Sequence, residues 1–555
     1  MARHVSGNII APLAAMLVSA VICVAVWAWL GRPVPVVDVA TPRLDCASFT
    51  PYLPGESPAT FQGTIPPERI DGDLALLSRQ FGCVRLYAVN HGQAETVRLA
   101  RARGMKVMLG IWIGPETEAN DQQVATAIRL ANEDPETVRA IIVGNEVLLR
   151  GDATEEGLIR YIRTVKAATS VPVTYADVWE FWIKHPALVA ETDFITIHIL
   201  PFWEDEPVAV AEGMAHVADV LGKVRRAFPD RRLFIGETGW PSAGRMRGPA
   251  EPGRVNQARF VRAFAAMATA EGLGYNLIEA FDQPWKRAQE GTVGGYWGLY
   301  TAARAPKFDL TGPLGEYPAW RTQASVAVVL GLLPPLWLVA WARRRLGAAA
   351  WFGVALAAEG AATALVLAAE NVSTIAITAT HWATGLVALA AMATVAALLL
   401  TGVGGRALDW PRPAPLYTVA MWIRGRDVGG DIRALMLGGL RGLSLFGAAA
   451  ITLGLVFDPR YRDFPLALFL IPAVGFAIDA WKRRSTAPRD DLLEETWLAL
   501  TAAAGAVFVL FNEGLANHQA VAWSLEVLLL ATPILVTSRV WATYPLSPSR
   551  GRGPG

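Results

Sequence analysis

Residues 233–242 read LFIGETGWPS, and the fold is decided there. Leu233, Phe234 and Ile235 form an apolar run that leads through a glycine to Glu237, after which Gly239 and Pro241 end it. A run of this length, bounded in this way, reads as a buried strand. Glu237 is thereby delivered to the C-terminal lip of a buried strand, close in sequence to the indole of Trp240. An unpaired carboxylate is costly to bury. The placement therefore reads either as chemistry or as a capping or salt-bridged glutamate, and the flanking chain has to choose between them.

Seven more runs of the same kind flank this one: Leu44–Phe49, Cys83–Tyr87, Lys106–Ile113, Ala140–Glu146, Val171–Val178, Phe194–Leu200 and Tyr275–Phe281. Amphipathic stretches lie between them, among them Ala94–Ala102, Val124–Asn132, Leu158–Ala168, Ala211–Ala227 and Val255–Ala270. Eight strand–helix alternations over roughly 270 residues predict an α/β fold, a (β/α)8 TIM barrel. Beyond Trp297 the pattern breaks into Gly and Pro, which predicts an abbreviated eighth unit.

The barrel accounts for half of the chain. The 555 residues carry a net charge of +1, and 53% are hydrophobic, with a mean hydropathy of +0.32. That is too apolar for an ordinary soluble protein and too long for one domain. No basic stripe with interleaved aromatics appears, so nucleic acid is not an expected partner. Twenty Trp suit both membrane interfaces and sugar stacking, and do not discriminate between them. Cys23, Cys46 and Cys83 lack metal-ligand spacing, and neither a metal nor a cofactor is expected. Cys23 reads as packing. Cys46 and Cys83 either pair, if their domain sits in an oxidising compartment, or stay as two buried thiols.

The apolar excess lies outside the barrel. Residues 1–8 read as a cytoplasmic N-terminus and 9–30 as an uncleaved transmembrane anchor, long enough to cross a bilayer. Residues 31–42 form an extended linker and 43–322 the barrel domain. Residues 323–540 read as a seven-helix transmembrane region, and 541–555 as a cytoplasmic tail. The seven expected spans are Ala324–Ala342, Gly347–Ala369, His381–Gly402, Gly442–Phe457, Phe464–Trp481, Thr496–Phe511 and Ala520–Thr537. One set of loops holds Arg343–Arg345, Arg406, Arg412, Arg424, Arg426, Arg433, Arg441, Lys482, Arg483, Arg484, Arg550 and Arg552. The opposite set holds only Arg460 and Arg462. This asymmetry predicts a multi-pass protein of the cytoplasmic (inner) membrane, with both termini inside and the barrel on the periplasmic side. Glu359, Glu526 and Asp479 fall within spans; Asp479 lies one turn from Lys482 and Arg483, whereas Glu359 reads either as a structural hydrogen bond or as part of a passage across the membrane.

In such a barrel the chemistry sits at the C-terminal strand ends. These ends carry Tyr87, Trp112, Asn145 with Glu146, Tyr175 with Asp177, His198, Glu237, and Glu279 with Asp282. Strands four and seven face each other across the mouth, so Glu146 and Glu237 can flank one glycosidic bond. Glycoside cleavage needs such a pair, one as acid and the other as nucleophile or base.

The GNE of Gly144–Glu146 and the ETGWPS of Glu237–Ser242 resemble glycoside hydrolase family 17, the β-1,3-glucanases and β-1,3-glucanosyltransferases. VRLYAVN around Tyr87, VMLGIWIG around Trp112, and Gly298–Tyr300 fit the same pattern over residues 43 to 310. The resemblance implies that Glu146 is the general acid/base and Glu237 the nucleophile of a retaining reaction, with the carboxyl groups roughly 5–5.5 Å apart and the acid's pKa raised by its neighbours. Ile197–Glu204 and Ile278–Lys286 resemble the bacterial branch, where Gln283 replaces a plant glutamate. Substrate contacts are expected from Asn145, Tyr87, Trp112, Tyr175, His198, Trp203, Trp240, Glu279, Asp282, Trp285 and Lys286, with Trp297 a further sugar platform. For His198 a satisfied inward-facing role stands beside sugar binding, and for Glu279, Asp282 and Lys286 charge tuning stands beside substrate contact.

A barrel followed by a membrane bundle resembles the rhizobial β-1,6-glucan synthase type proteins. No QxxRW-like run and no DxD occur in the membrane part. The expected function is remodelling or β-1,6 branching of periplasmic β-glucan. The expected partners are a β-glucan donor and acceptor, the lipid bilayer and a separate glucan synthase. A purely hydrolytic glucanase and a glucan-binding export partner are the alternatives.

Overall fold

The computed structural model describes residues 9–41, 43–341, 346–404, 407–408, 411–483 and 492–538. The chain divides into two compact units, Pro33–Glu316 and a helical unit made of Met1–Arg32 with Tyr317–Gly555.

The first unit is the expected barrel. Its strands are β1 (Leu44–Ser48), β2 (Phe81–Arg85), β3 (Lys106–Ile111), β4 (Val138–Asn145), β5 (Val173–Val178), β6 (Ile195–His198), β7 (Leu233–Thr238) and β8 (Gly274–Leu277). All are parallel, and they close in sequence order with β8 against β1. Each lies within a few residues of its predicted run, because the apolar runs extend slightly past the hydrogen-bonded ladder. Residues two apart share a strand face. One face of the strands thus places Cys46, Cys83, Met108, Ala140, Ile142, Ala176, Phe194 and Phe234 together in one buried cluster. The larger cluster holds the other strand face and the helices, with Val217, Leu221, Phe260 and Phe264 packed on Ile195, Ile235 and Tyr275. The eighth unit is abbreviated as expected. Its helix, Arg287–Gly294, is interrupted at Gly291, and the chain beyond it pairs residues 297–300 with residues 279–282 just after β8.

Cys46 and Cys83 are register partners on β1 and β2 and form a disulfide. Of the two readings left open, the structure takes the paired one. Cys23 is free and buried, its Sγ 3.6 Å from Thr363 Oγ1.

In the helical unit, seven of the described helices are long and apolar enough to cross a membrane: Ile10–Leu30, Trp320–Ala340, Ala348–Ile375, Ala379–Thr401, Ile432–Phe457, Leu493–Glu513 and His518–Thr537. The eighth expected span is also a helix, Leu466–Arg483, but Asp479, Lys482 and Arg483 crowd its last turns and set it apart from the other seven. The helix expected from Gly442 begins at Ile432 instead. Arg441 is accommodated inside it because Nη2 pairs at 2.9 Å with Glu495, whose other contact is the backbone N–H of Leu416. Glu359 is buried beside Cys23 and lies so close to Gly331 that a Cβ there would approach its carboxylate to 2.6 Å. Residues 1–8, Arg343–Arg345, Arg406, Arg484 and the expected tail with Arg550 and Arg552 lie outside the described residues.

Candidate active site

The rim of the barrel brings Glu146, His198 and Glu237 together. At the end of β4, Gly144 (φ 88°) and Glu146 (φ 51°) both adopt left-handed backbone. A Cβ on Gly144 would come within 2.6 Å of Val147, so glycine is required there. Glu146 is a non-glycine residue in the same region, a conformation that persists only where the surroundings impose it. Its N–H donates to Ala176 O at 2.8 Å, which pins it to β5.

Glu146 Oε1 lies 2.7 Å from Nδ1 of His198, a fully buried side chain at the end of β6. His198 is the register partner of Glu237 on β7, at an irregularity in the ladder. Such bulges re-aim side chains near active sites. His198 Nε2 stands 3.8 Å from Glu237 Oε1 and has no hydrogen-bond partner. Gly236 makes room for the ring, because a Cβ there would meet Thr196 at 2.6 Å and His198 Nε2 at 3.1 Å.

Glu237 is held from the opposite side. Tyr87 Oη donates to Oε1 at 2.7 Å, and Arg85 Nη1 lies 3.2 Å from the same oxygen. Arg85 also donates to Gly236 O at 2.7 Å and, through Nη2, to Asn145 Oδ1. Ser48 Oγ lies 2.8 Å from Tyr87 Oη, and Asn276 Nδ2 donates to both Ser48 Oγ and Gly236 O. The result is one connected network from β1, β2, β4, β7 and β8 beneath the two glutamates. Carboxylate oxygens of Glu146 and Glu237 come within 4.8 Å of each other. That short spacing suits direct attack by one carboxylate rather than an intervening water.

The charge on Glu146 differs from expectation. Burial pushes its carboxyl up, but the hydrogen bond and charge of His198, with Arg150 and Arg85 beyond, outweigh burial and hold it below the ordinary range. The raised acid expected from the family resemblance is therefore corrected: the Glu146 carboxyl is lowered. Raised carboxyls lie around it instead. Burial pushes Asp177 up to about 6 and Glu279 to about 7, against the partners Tyr175 and Lys286 that favour ionisation. Burial also raises Glu290, reinforced by the negative charges of Glu237 and Glu146.

The remaining expected contacts divide by exposure. Trp112 is exposed, with the Arg150 guanidinium 4.2 Å over its ring, and Trp203, Trp285, Tyr87 and Asn145 are part-exposed at the rim. Three expectations are corrected. Trp240 is fully buried, its Nε1 donates to Glu251 O at 2.8 Å, and it packs on Phe202 and Phe260, so it is no sugar wall. Tyr175 is fully buried and donates to Asp177. Trp297 is likewise buried, packing against Phe202. Of the alternatives left open, Glu279, Asp282 and Lys286 take charge pairing, with Lys286 Nζ 3.0 Å from both Glu279 oxygens and the buried Asp282 held by Lys307 at 2.6 Å and by the N–H of Gly298 at 3.0 Å. His198 faces inward, with Nδ1 satisfied by Glu146 and Nε2 unpartnered. Arg85, Ser48 and Asn276 are the residues the sequence reading missed. Arg85 carried a signal, a lone charge inside the apolar strand FGCVR. The three groups Glu146, His198 and Glu237 are close enough to ligate an ion, but Nδ1 is committed to Glu146 and Arg85 already neutralises Glu237. The arrangement sets one imidazole between two acids, bonded to Glu146 and within 3.8 Å of Glu237.

A parallel (β/α)8 barrel with carboxylates on β4 and β7 that approach each other has the geometry glycoside cleavage uses. A family model described as the BtgE/BtgC glycoside hydrolase domain matches residues 46–298. A glucan 1,3-beta-glucosidase of Arthroderma benhamiae is 32% identical over 248 residues, covering 41% of this chain and 79% of that protein. The cell surface mannoprotein MP65 of Candida albicans is 28% identical over 255 residues, 44% of this chain and 65% of that protein. The chain belongs to the family 17 glycoside hydrolases. Among solved structures, an active-site mutant of the Rhizomucor miehei beta-1,3-glucanosyltransferase in complex with laminaritriose is similar at 24% identity. It has a TM-score of 0.43 and covers 48% of this chain and 98% of that one.

Proposed function

We propose that this chain is a membrane-bound, retaining β-1,3-glucan-active enzyme in which Glu237 is the nucleophile and Glu146 the general acid/base. The approach of the two carboxylates to within 4.8 Å carries this reading, since a retaining enzyme must bring both onto one glycosidic bond. Tyr87 and Arg85 hold Glu237 in position, while Glu146 keeps one oxygen free of His198. The exposed Trp112 and the part-exposed Trp203 and Trp285 supply aromatic surface of the kind sugar rings stack on.

The glycosyl-enzyme formed by Glu237 can be resolved by water or by a sugar hydroxyl. Membrane attachment favours the second. We place the barrel on the periplasmic side of a bacterial inner membrane, where it remodels or β-1,6-branches a preformed glucan delivered by a separate synthase. The arginine asymmetry of the loops and the Cys46–Cys83 disulfide, a bond at home in oxidising compartments, support that side. Alkaline phosphatase fused after Glu316 is then active in cells, and fused after Arg406 inactive.

The test is linkage analysis of products made from a defined β-1,3-oligosaccharide by the full chain in detergent. Longer or β-1,6-linked products are expected. Shorter sugars alone identify a hydrolase. Binding without turnover identifies a glucan-binding export partner.

A further inference from the structure

His198 touches both carboxylates and is used by neither in the mechanism above. We propose that His198 stores the proton that Glu146 delivers and recovers, and that the charge on Glu237 controls when it is held. The inference rests on the assignment of Glu146 and Glu237 just given and adds a positioning residue to it.

The geometry leaves the imidazole little else to do. Its side chain is fully buried; Nδ1 is 2.7 Å from Glu146 Oε1, and Nε2 is unpartnered, 3.8 Å from Glu237 Oε1. Gly236 leaves the space the ring fills. The other charged groups that face this trio are Asp177 from β5, Arg85 from β2, Arg150 after β4, and Lys286 and Glu290 beyond β8. Asp177 and Tyr175 are bonded to each other, and Arg85 is committed to Glu237, Gly236 and Asn145. Among the described residues, only His198 lies within ion-pair distance of both glutamates.

The proton balance is as follows. Before reaction Glu237 is a carboxylate, and the His198 cation donates Nδ1–H to Glu146 and points Nε2–H at Glu237. Glu237 then attacks the anomeric carbon, a C–O ester bond forms, and the glycosidic C–O bond breaks. The proton passes from Nδ1 to the Glu146 carboxylate and from it to the leaving oxygen, which leaves His198 neutral and Glu146 a carboxylate. Glu237 is now a neutral ester, and the anion that favoured the His198 cation has gone. In the second half the acceptor hydroxyl bonds to the anomeric carbon and the ester C–O bond breaks. The acceptor's proton passes to Glu146 and back to Nδ1 as Glu237 regains its charge. One proton leaves the pair and one returns in each cycle.

The experiment uses the full chain in detergent. His198→Gln retains an N–H donor toward Glu146 but cannot store a proton. It is expected to lower kcat by about 10²-fold, within the range of a general acid–base contribution, with little change in KM. The basic limb of its pH profile moves to lower pH, because the transferable proton must then sit on the carboxyl of Glu146 itself. Independently of any substitution at His198, ¹⁵N NMR of histidine-labelled protein is read at the pH of maximal turnover. It should show both ring nitrogens protonated in free protein, and only one after trapping Glu237 with a 2-deoxy-2-fluoro-glucosyl donor. Identical ring protonation in the two forms, or a His198→Gln pH profile that overlays the parent's, overturns the proposal. Full activity in Glu237→Gln would overturn the underlying assignment instead, so the two failures are distinguishable.

Discussion

Arg85 Nη1 lies 3.2 Å from Glu237 Oε1, with the two side chains 1% and 7% exposed. Because the same guanidinium reaches Gly236 O and Asn145 Oδ1, it fixes the end of β7 relative to the end of β4. A lysine keeps the charge but not the planar fork. Arg85→Lys should therefore fold and yet lose about 10²-fold in kcat, the cost of misplacing reacting groups by about an ångström. Arg85→Met strands a buried carboxylate and should cost roughly 3–5 kcal/mol of stability as well. Steady-state kinetics with a β-1,3-oligosaccharide, paired with thermal unfolding, separates the two effects. Near-parent kcat in Arg85→Lys would remove the guanidinium from the mechanism.

Glu279 gives the barrel a pH signature. Burial raises its carboxyl to about 7, against the pull of Lys286. A group whose folded pKa lies above its unfolded one binds more protons in the folded state, so its contribution to stability falls as pH rises between the two values. The window here runs from the ordinary glutamate range near 4.5 up to about 7. Glu279→Gln removes that slope. The drop in Tm of the parent between the two ends of this window should be smaller in the variant, as read by thermal scans in matched buffers. An equal drop in both proteins would show that Glu279 is not the titrating group.

The Cys46–Cys83 bond closes a loop with a sequence separation of 37. Chain-entropy arguments assign a bridge of that length about 3–4 kcal/mol, or roughly 5–15 °C in Tm for a large domain. The double variant Cys46→Ala/Cys83→Ala should melt lower by an amount of that order while its activity at low temperature persists. Thermal scans of the oxidised parent, the reduced parent and the variant test this. Coincident transitions in all three would rule out a stabilising bridge.

Two tryptophans that read alike in sequence should behave in opposite ways. Trp240 is fully buried with its N–H satisfied, so Trp240→Ala should cost about 3–5 kcal/mol of stability. Trp112 is 38% exposed at the rim. Trp112→Ala should keep the Tm and raise KM for longer oligosaccharides several-fold, in line with about 1 kcal/mol from one aromatic contact. A raised KM without loss of stability in Trp240→Ala would reverse the assignment.

Much of this protein is determined by the sequence itself. Strand-length apolar runs, each followed by an amphipathic stretch, specify eight βα units, and burial of both faces leaves a closed parallel barrel as the compact solution. The same local logic puts Glu146 and Glu237 at strand ends, because an apolar run that stops at a carboxylate places that carboxylate at the rim. Apolar length also marks seven of the helices outside the barrel, whereas Leu466–Arg483 is marginal because charges enter its last turns.

What only the tertiary structure decided depends on contacts between distant strands. Arg85 and Glu237 are 152 residues apart, and His198 and Glu146 are 52 apart. No local pattern announces either pair. Whether an aromatic at a strand end faces sugar or core depends on what later segments lay over it; Phe260, far along the chain, covers Trp240. The charge state of the acid followed the same rule. Glu146 alone reads as a buried glutamate with a raised pKa, and closure of the barrel, which brings His198 to 2.7 Å, reverses that direction.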